Sequence, residues 1–146
     1  MGLLAVSQPL AAQARGATAP RVEVCKLVPV SEVKKHLPWQ DFLDRMPPEE
    51  EAIGTSGSSC NYATVHVQVL PYTASFVETA RKSGPIEAIS GLGDEAYFRN
   101  NKNRFAEVIV KVGSRLVTLQ ADADDNIDTV KPKVIALAKV YVEKLR

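Results

Sequence analysis

Apolar and polar positions alternate most strictly between Asn61 and Leu70. Ala63, Val65, Val67 and Val69 share one face there, and Tyr62, Thr64, His66 and Gln68 share the other. A period of two predicts a β-strand with one buried face, and Pro71 closes it. The same period returns from Arg104 to Val112, where Ala106, Val108, Val110 and Val112 align. Gly113-Ser114 then supplies a two-residue hairpin turn, and Arg115 to Ala121 runs back antiparallel. A further strand is expected where Gly91-Leu-Gly-Asp-Glu-Ala-Tyr-Phe98 leads in. It is separated from the Arg104 strand by a turn at Asn100–Asn103, because asparagine tolerates the left-handed conformation.

Between these strands the period lengthens. Ser31-Glu-Val-Lys-Lys-His-Leu37 reads as a short helix with Ser31 as its cap, stopped by Pro38. Trp39, Phe42, Leu43 and Met46 follow at i, i+3, i+4 and i+7, an apolar helical stripe ended by Pro47-Pro48. Glu49–Glu51 and Gly54–Ser59 read as a polar, mobile loop running into Cys60. Thr73 or Ser75 can cap a helix to about Lys82, with Phe76, Val77 and Ala80 inward, and Ser83-Gly84-Pro85 ends it. Asn126 or Asp128 can cap a last helix bearing Val130, Val134, Leu137, Ala138, Tyr141 and Leu145, with Pro132 in its first turn. The order helix, strand, helix, three meander strands, helix predicts an α+β domain. Its antiparallel sheet, of about four or more strands, packs against helices.

Composition adds the address. Residues 1–14 are apolar and small and end in Ala12-Gln13-Ala14, the small-x-small pattern of a signal-peptidase site, without the usual basic n-region. They read as a signal-peptide remnant or, in the plainer alternative, as an apolar N-terminus with no targeting role. Residues 15–24 read as a flexible lead-in and 25–146 as a single domain. No later stretch approaches the roughly 20 apolar residues of a membrane span. The 146 residues carry a net charge of +1 with both signs interspersed, and no basic run interleaved with aromatics marks a nucleic-acid surface.

Candidate chemistry is sparse. Cys25 and Cys60 are the two cysteines, and in an exported domain such a pair most often bridges. The acid in Val22-Glu23-Val24 argues against Cys25 as a lipid-attachment residue, and the wide spacing lacks the CxxC pairs of zinc sites. Asp122, Asp124, Asn126 and Asp128 alternate as calcium loops do, but Ile127 stands in the glycine position and Lys133 in that of the bidentate glutamate. An acidic helix N-terminus is the simpler reading. His36 and His66 lie in different elements, and no serine sits in a GxSxG elbow. Gly91-Leu92-Gly93 lacks the third glycine of a dinucleotide loop and reads as a turn before a strand. Asp94 and Glu95 are adjacent, so on a strand they diverge and cannot act as a paired-carboxylate site. No catalytic residue, cofactor or metal is expected.

Taken together, Cys25-Lys-Leu-Val, Cys60-Asn-Tyr, Gly91-Leu-Gly-Asp-Glu-Ala-Tyr97 and the closing hairpin and helix resemble a group of small secreted proteins. These are exported domains of unknown function, many of them actinobacterial lipoproteins, with a PsbP-like α/β sandwich fold. The likeness spans roughly residues 25–145, and its most specific piece is Gly-Leu-Gly-Asp-Glu-Ala. Tyr62 replaces the group's usual tryptophan, and a lipid-attachment cysteine is absent. The resemblance implies a Cys25–Cys60 bridge and a binding or accessory module. The expected function is therefore an exported, soluble, non-enzymatic module, periplasmic or secreted, monomeric or weakly dimeric. It would bind an envelope protein, a peptide or an apolar small ligand through Trp39, Phe42, Met46, Tyr62 and His66. The alternatives are a small periplasmic hydrolase using His66 and a structural envelope protein.

Overall fold

The structure, a computed structural model, describes residues 20–37, 45–124 and 126–146. In chain order these form α1 (Val24–Leu27), α2 (Val30–His36), β1 (Glu49–Ile53), β2 (Gly57–Asn61), β3 (Val65–Pro71) and α3 (Ala74–Lys82). Then come β4 (Ile86–Ala88), β5 (Glu95–Asn101), β6 (Phe105–Val112), β7 (Arg115–Asp122) and α4 (Ile127–Leu145). The strands make one antiparallel sheet in the order β1-β2-β3-β7-β6-β5-β4. The α+β class is thus as the periodicity predicts, with seven strands among the described residues.

Two meanders meet at the centre. Residues of β3 pair with β7 from Val65↔Ala121 to Pro71↔Arg115. The chain between them crosses to the far edge through α3 before returning strand by strand. Each strand's alternation points one set of side chains to a common face. Val65, Val67 and Val69 of β3, Ala106, Val108 and Val110 of β6, and Val117 and Leu119 of β7 are buried there. The stripe of α4 covers them with Val130, Val134, Leu137, Ala138, Tyr141 and Val142, while α1, α2 and the link between them add Val24, Val33 and Val28. Burial of so many branched side chains on one face is the main favourable term in the fold.

The opposite face is mixed. Near α3, Ala80, Ile109 and Leu116 form a small apolar cluster with Tyr72 and Phe76. The row beside it is polar: Asn61↔His66, His66↔Gln120, Gln120↔Glu107 and Glu107↔Arg99 are successive cross-strand neighbours. Arg99 donates Nε to the Glu107 carboxylate at 3.2 Å, and its Nη2 reaches the same oxygen. That contact compensates a carboxylate that is otherwise buried.

Four local expectations change. Residues 49–59 are a hairpin, not a loop, because the N-terminal segment lies across it. Arg21 reaches the Gly54 carbonyl, the Val22 carbonyl accepts the Ser58 hydroxyl, and the Cys25 amide donates to Glu50 Oε2 at 2.7 Å. These contacts bury Ser58 and Ser59 in a strand with no apolar alternation. By the same token residues 20–24 are not a loose lead-in, since Val24 is wholly buried and Val22 packs on the core. Ser31 lies inside α2, whose N-cap position is Pro29. Pro132 lies one turn deeper in α4 than expected, because the helix begins at Ile127. The signal-like residues 1–14 lie outside the described residues.

Candidate functional site

The chain reverses between β2 and β3 within two residues. Tyr62 N donates to the Val65 carbonyl at 2.7 Å, and Thr64 N donates to the Tyr62 carbonyl at 2.8 Å. Closing so tight a turn forces Ala63 to φ +65°, a conformation that costs a residue with a Cβ. The turn separates two hollows at one end of the sheet, with Thr64 lining one and Ala63 the other.

The larger hollow, about 590 Å³, lies where β7 passes into α4. Its rim carries Thr64, Asp122, Asp124, Asn126, Thr129 and Lys133 over a floor of Ala123 and Val130. The connection is held by one bond across to the β2–β3 turn and two local ones. Asp122 N donates to the Thr64 carbonyl at 3.0 Å, Asp122 Oδ1 accepts from Asp124 N at 3.1 Å, and Asn126 N donates to the Ala123 carbonyl at 2.8 Å. Hydroxyls, an amide, carboxylates and one ammonium side by side offer both donors and acceptors. Such a rim suits a polar chain with both kinds of group, such as a peptide backbone. Lys133 brings a positive charge to the same hollow as Asp122 and Asp124, which opposes the calcium reading of those acids.

The smaller hollow, about 220 Å³, is bounded by Arg45, Met46, Pro47, Glu49, Asn61 and Ala63. Met46 is 55% exposed. Trp39, Phe42 and Leu43, the other members of the stripe, lie outside the described residues.

Tyr62 and His66, which the alternation places together on the polar face, are on opposite faces. The turn at Ala63 breaks the period, so Tyr62 extends β2 rather than β3 and points into the core, 1% exposed. Its hydroxyl lies 2.9 Å from that of Tyr141 and 3.5 Å from the Val28 carbonyl. Burial raises the pKa of both tyrosines, and Glu50 adds to the rise. Tyr62 is thus a packing residue. His66 is half-buried on the outer face, and its Nε2 lies 3.0 Å from the Gln68 side-chain nitrogen. An amide neighbour does not prepare an imidazole for proton abstraction as a carboxylate would.

Cys25 and Cys60 are bonded, with Cα atoms 5.0 Å apart, and join α1 to β2 across a sequence separation of 35. In the chain-entropy model a loop of that length contributes roughly 3–4 kcal/mol. Glu50 stands beside the bridge, its Cα paired with that of Cys60. Periodicity gives no hint of Thr64, Thr129, Lys133 or Glu50. Thr129 and Lys133 do sit at i, i+4 on one flank of α4, yet only the β2–β3 turn makes that flank a wall. Comparison of the chain with family models, curated proteins and solved structures finds no match.

Proposed function

We propose that this chain is an exported, non-enzymatic module that binds an extended peptide segment of an envelope protein at the β2–β3 end of its sheet. The observation that carries the reading is the adjacency of the two hollows: a rim of mixed donors and acceptors lies next to the exposed thioether of Met46. The first suits a main chain and the second an apolar side chain of the same ligand. A purely apolar small ligand fits less well, since it would strip water from Asp122, Asp124 and Lys133 without replacing it. The disulfide supports an oxidising compartment, periplasmic or external. Membership in the PsbP-like secreted group belongs to the same proposal and rests on Gly91–Tyr97 and the order of elements. The hydrolase alternative has less support, because His66 meets Gln68 rather than an acid.

A photo-crosslinking amino acid tests this reading in the producing cells. Placed at Met46 or Thr129 it should capture one common envelope protein, while the exposed Lys139 on α4 should capture none of it. Equal capture from all three positions, or none from the first two, would remove the assigned surface.

A further inference from the structure

The disulfide has a third party. Glu50 faces the same side of the β1–β2 ladder as Cys60, and its Oε2 is fixed by the amide of Cys25 at 2.7 Å. One donor atom each from Cys25, Glu50 and Cys60 lies within 4.8 Å of the others. Cys60 is buried, Cys25 half-buried and Glu50 exposed, so the group has a closed floor and an open mouth.

Bridged sulphurs are poor ligands, because a metal takes the thiolate. Reduction changes that. A dithiol reductant gives up two electrons and two protons and closes its own disulfide. The Cys25–Cys60 bond breaks, and each Sγ receives one proton and one electron.

We propose that the reduced chain binds a zinc ion through Cys25 Sγ, Cys60 Sγ and the Glu50 carboxylate. Binding expels both thiol protons and leaves two thiolates and one carboxylate on the cation. Three protein ligands leave a fourth tetrahedral position for water or an outside ligand. Two sulphurs about 2.3 Å from zinc lie about 3.8 Å apart, a separation open to residues whose Cα atoms are 5.0 Å apart. The Cys25 amide holds one carboxylate oxygen in place, as outer-sphere partners do in zinc sites. The same two segments, α1 and β2, are then joined by sulphur in the oxidised chain and by metal in the reduced one. CxxC spacing is absent because the ligands come from a helix and two strands, brought together by the staple itself.

Anaerobic titration of the full chain with cobalt, after reduction by a phosphine that is then removed, reads the site directly. The reduced chain should develop a thiolate-to-cobalt charge-transfer band at one equivalent, and zinc should abolish it. The oxidised chain and Cys25→Ser should show none. Glu50→Gln should weaken binding by more than the roughly 10–100-fold that loss of an outer-shell partner costs, and Glu51→Gln, on the opposite face, should not change it. Absence of the band, or an unchanged affinity in Glu50→Gln, overturns the assignment. Near-ultraviolet circular dichroism covers the case in which reduction unfolds the chain. Zinc must then restore the tertiary signal, since metal binding and folding would be coupled, and failure to restore it also overturns the assignment.

Discussion

At the scale of single residues, two positive φ angles have opposite consequences. Gly93, at φ +58°, sits so close to β6 that an added Cβ would collide with Val110 Cγ1 and lie 2.7 Å from the Lys111 carbonyl oxygen. Here glycine is required twice, by conformation and by space. Asp94 then donates its own geometry to the neighbouring hairpin: its Oδ2 accepts the Gly113 amide at 2.6 Å. Gly93→Ala should therefore destabilise by about 2–5 kcal/mol, the sum of left-handed strain and overpacking. Ala63 is the reverse case, a Cβ held at φ +65°. Ala63→Gly should stabilise by about 0.5–1 kcal/mol, once the added freedom of the unfolded glycine is set against the strain relieved. Urea unfolding of both variants checks the pair. A harmless Gly93→Ala would mean that the Gly-Leu-Gly-Asp-Glu-Ala segment is not a structural clamp.

At the scale of elements, β3 is legible because it buries one face and leaves the other half-wet, while β6 and β7 keep an apolar residue at every second position of the α4 face even though Ile109 and Leu116 are buried on the other. The α4 stripe is legible for the corresponding helical reason. Strand β2 is not. Gly57-Ser58-Ser59 carries no alternation, and its burial comes from chain that is distant in sequence, through Val22 and Cys25. Strand β1 is an acidic edge, the composition by which edges resist further pairing. Of the candidate site, Met46 was legible as an apolar position and Asp122, Asp124, Asn126 and Lys133 as a polar run, but the larger hollow they line depends on Thr64 standing opposite α4. The misplacement of Tyr62 has the same origin, a two-residue turn with no glycine to announce it. That tyrosine couples the β2–β3 turn to α4 through the Tyr141 hydroxyl. Tyr141→Phe should cost about 1–2 kcal/mol by leaving a buried hydroxyl with only the distant Val28 carbonyl. The double Phe variant should recover part of that loss. Both tyrosines have pKa values raised in the fold, with burial first among the causes. Their contribution is thus fully present below the ordinary value of 10.0 and falls as pH climbs above it, where only the unfolded chain ionises freely. Chemical unfolding between neutral pH and pH ~11 should show a steeper alkaline loss in the wild type than in the double Phe variant. Parallel curves would detach the tyrosine pair from alkaline stability.

At the scale of the whole molecule, the seam between β3 and β7 decides cooperativity. It joins residues 65–71 to 115–121, so neither meander can close its apolar face before the chain has crossed the sheet and returned. Helix α4 reinforces this dependence, since it packs on β6 and β7 and also touches α2 from the other half of the chain. Leu137, wholly buried in the shared core, is the natural place to probe it. Leu137→Ala should cost about 2–5 kcal/mol, the usual range for a leucine cavity. If the halves form one cooperative unit, amide exchange in β3, β5, β6 and β7 should accelerate together by the same factor, and the melt should remain a single transition. A variant in which β5 and β6 exchange faster while β2 and β3 keep their protection would divide the sheet at the seam. The disulfide would then stabilise only the first meander, whereas a single cooperative unit passes that stabilisation through β3 and β7 to α4, the wall of the larger hollow.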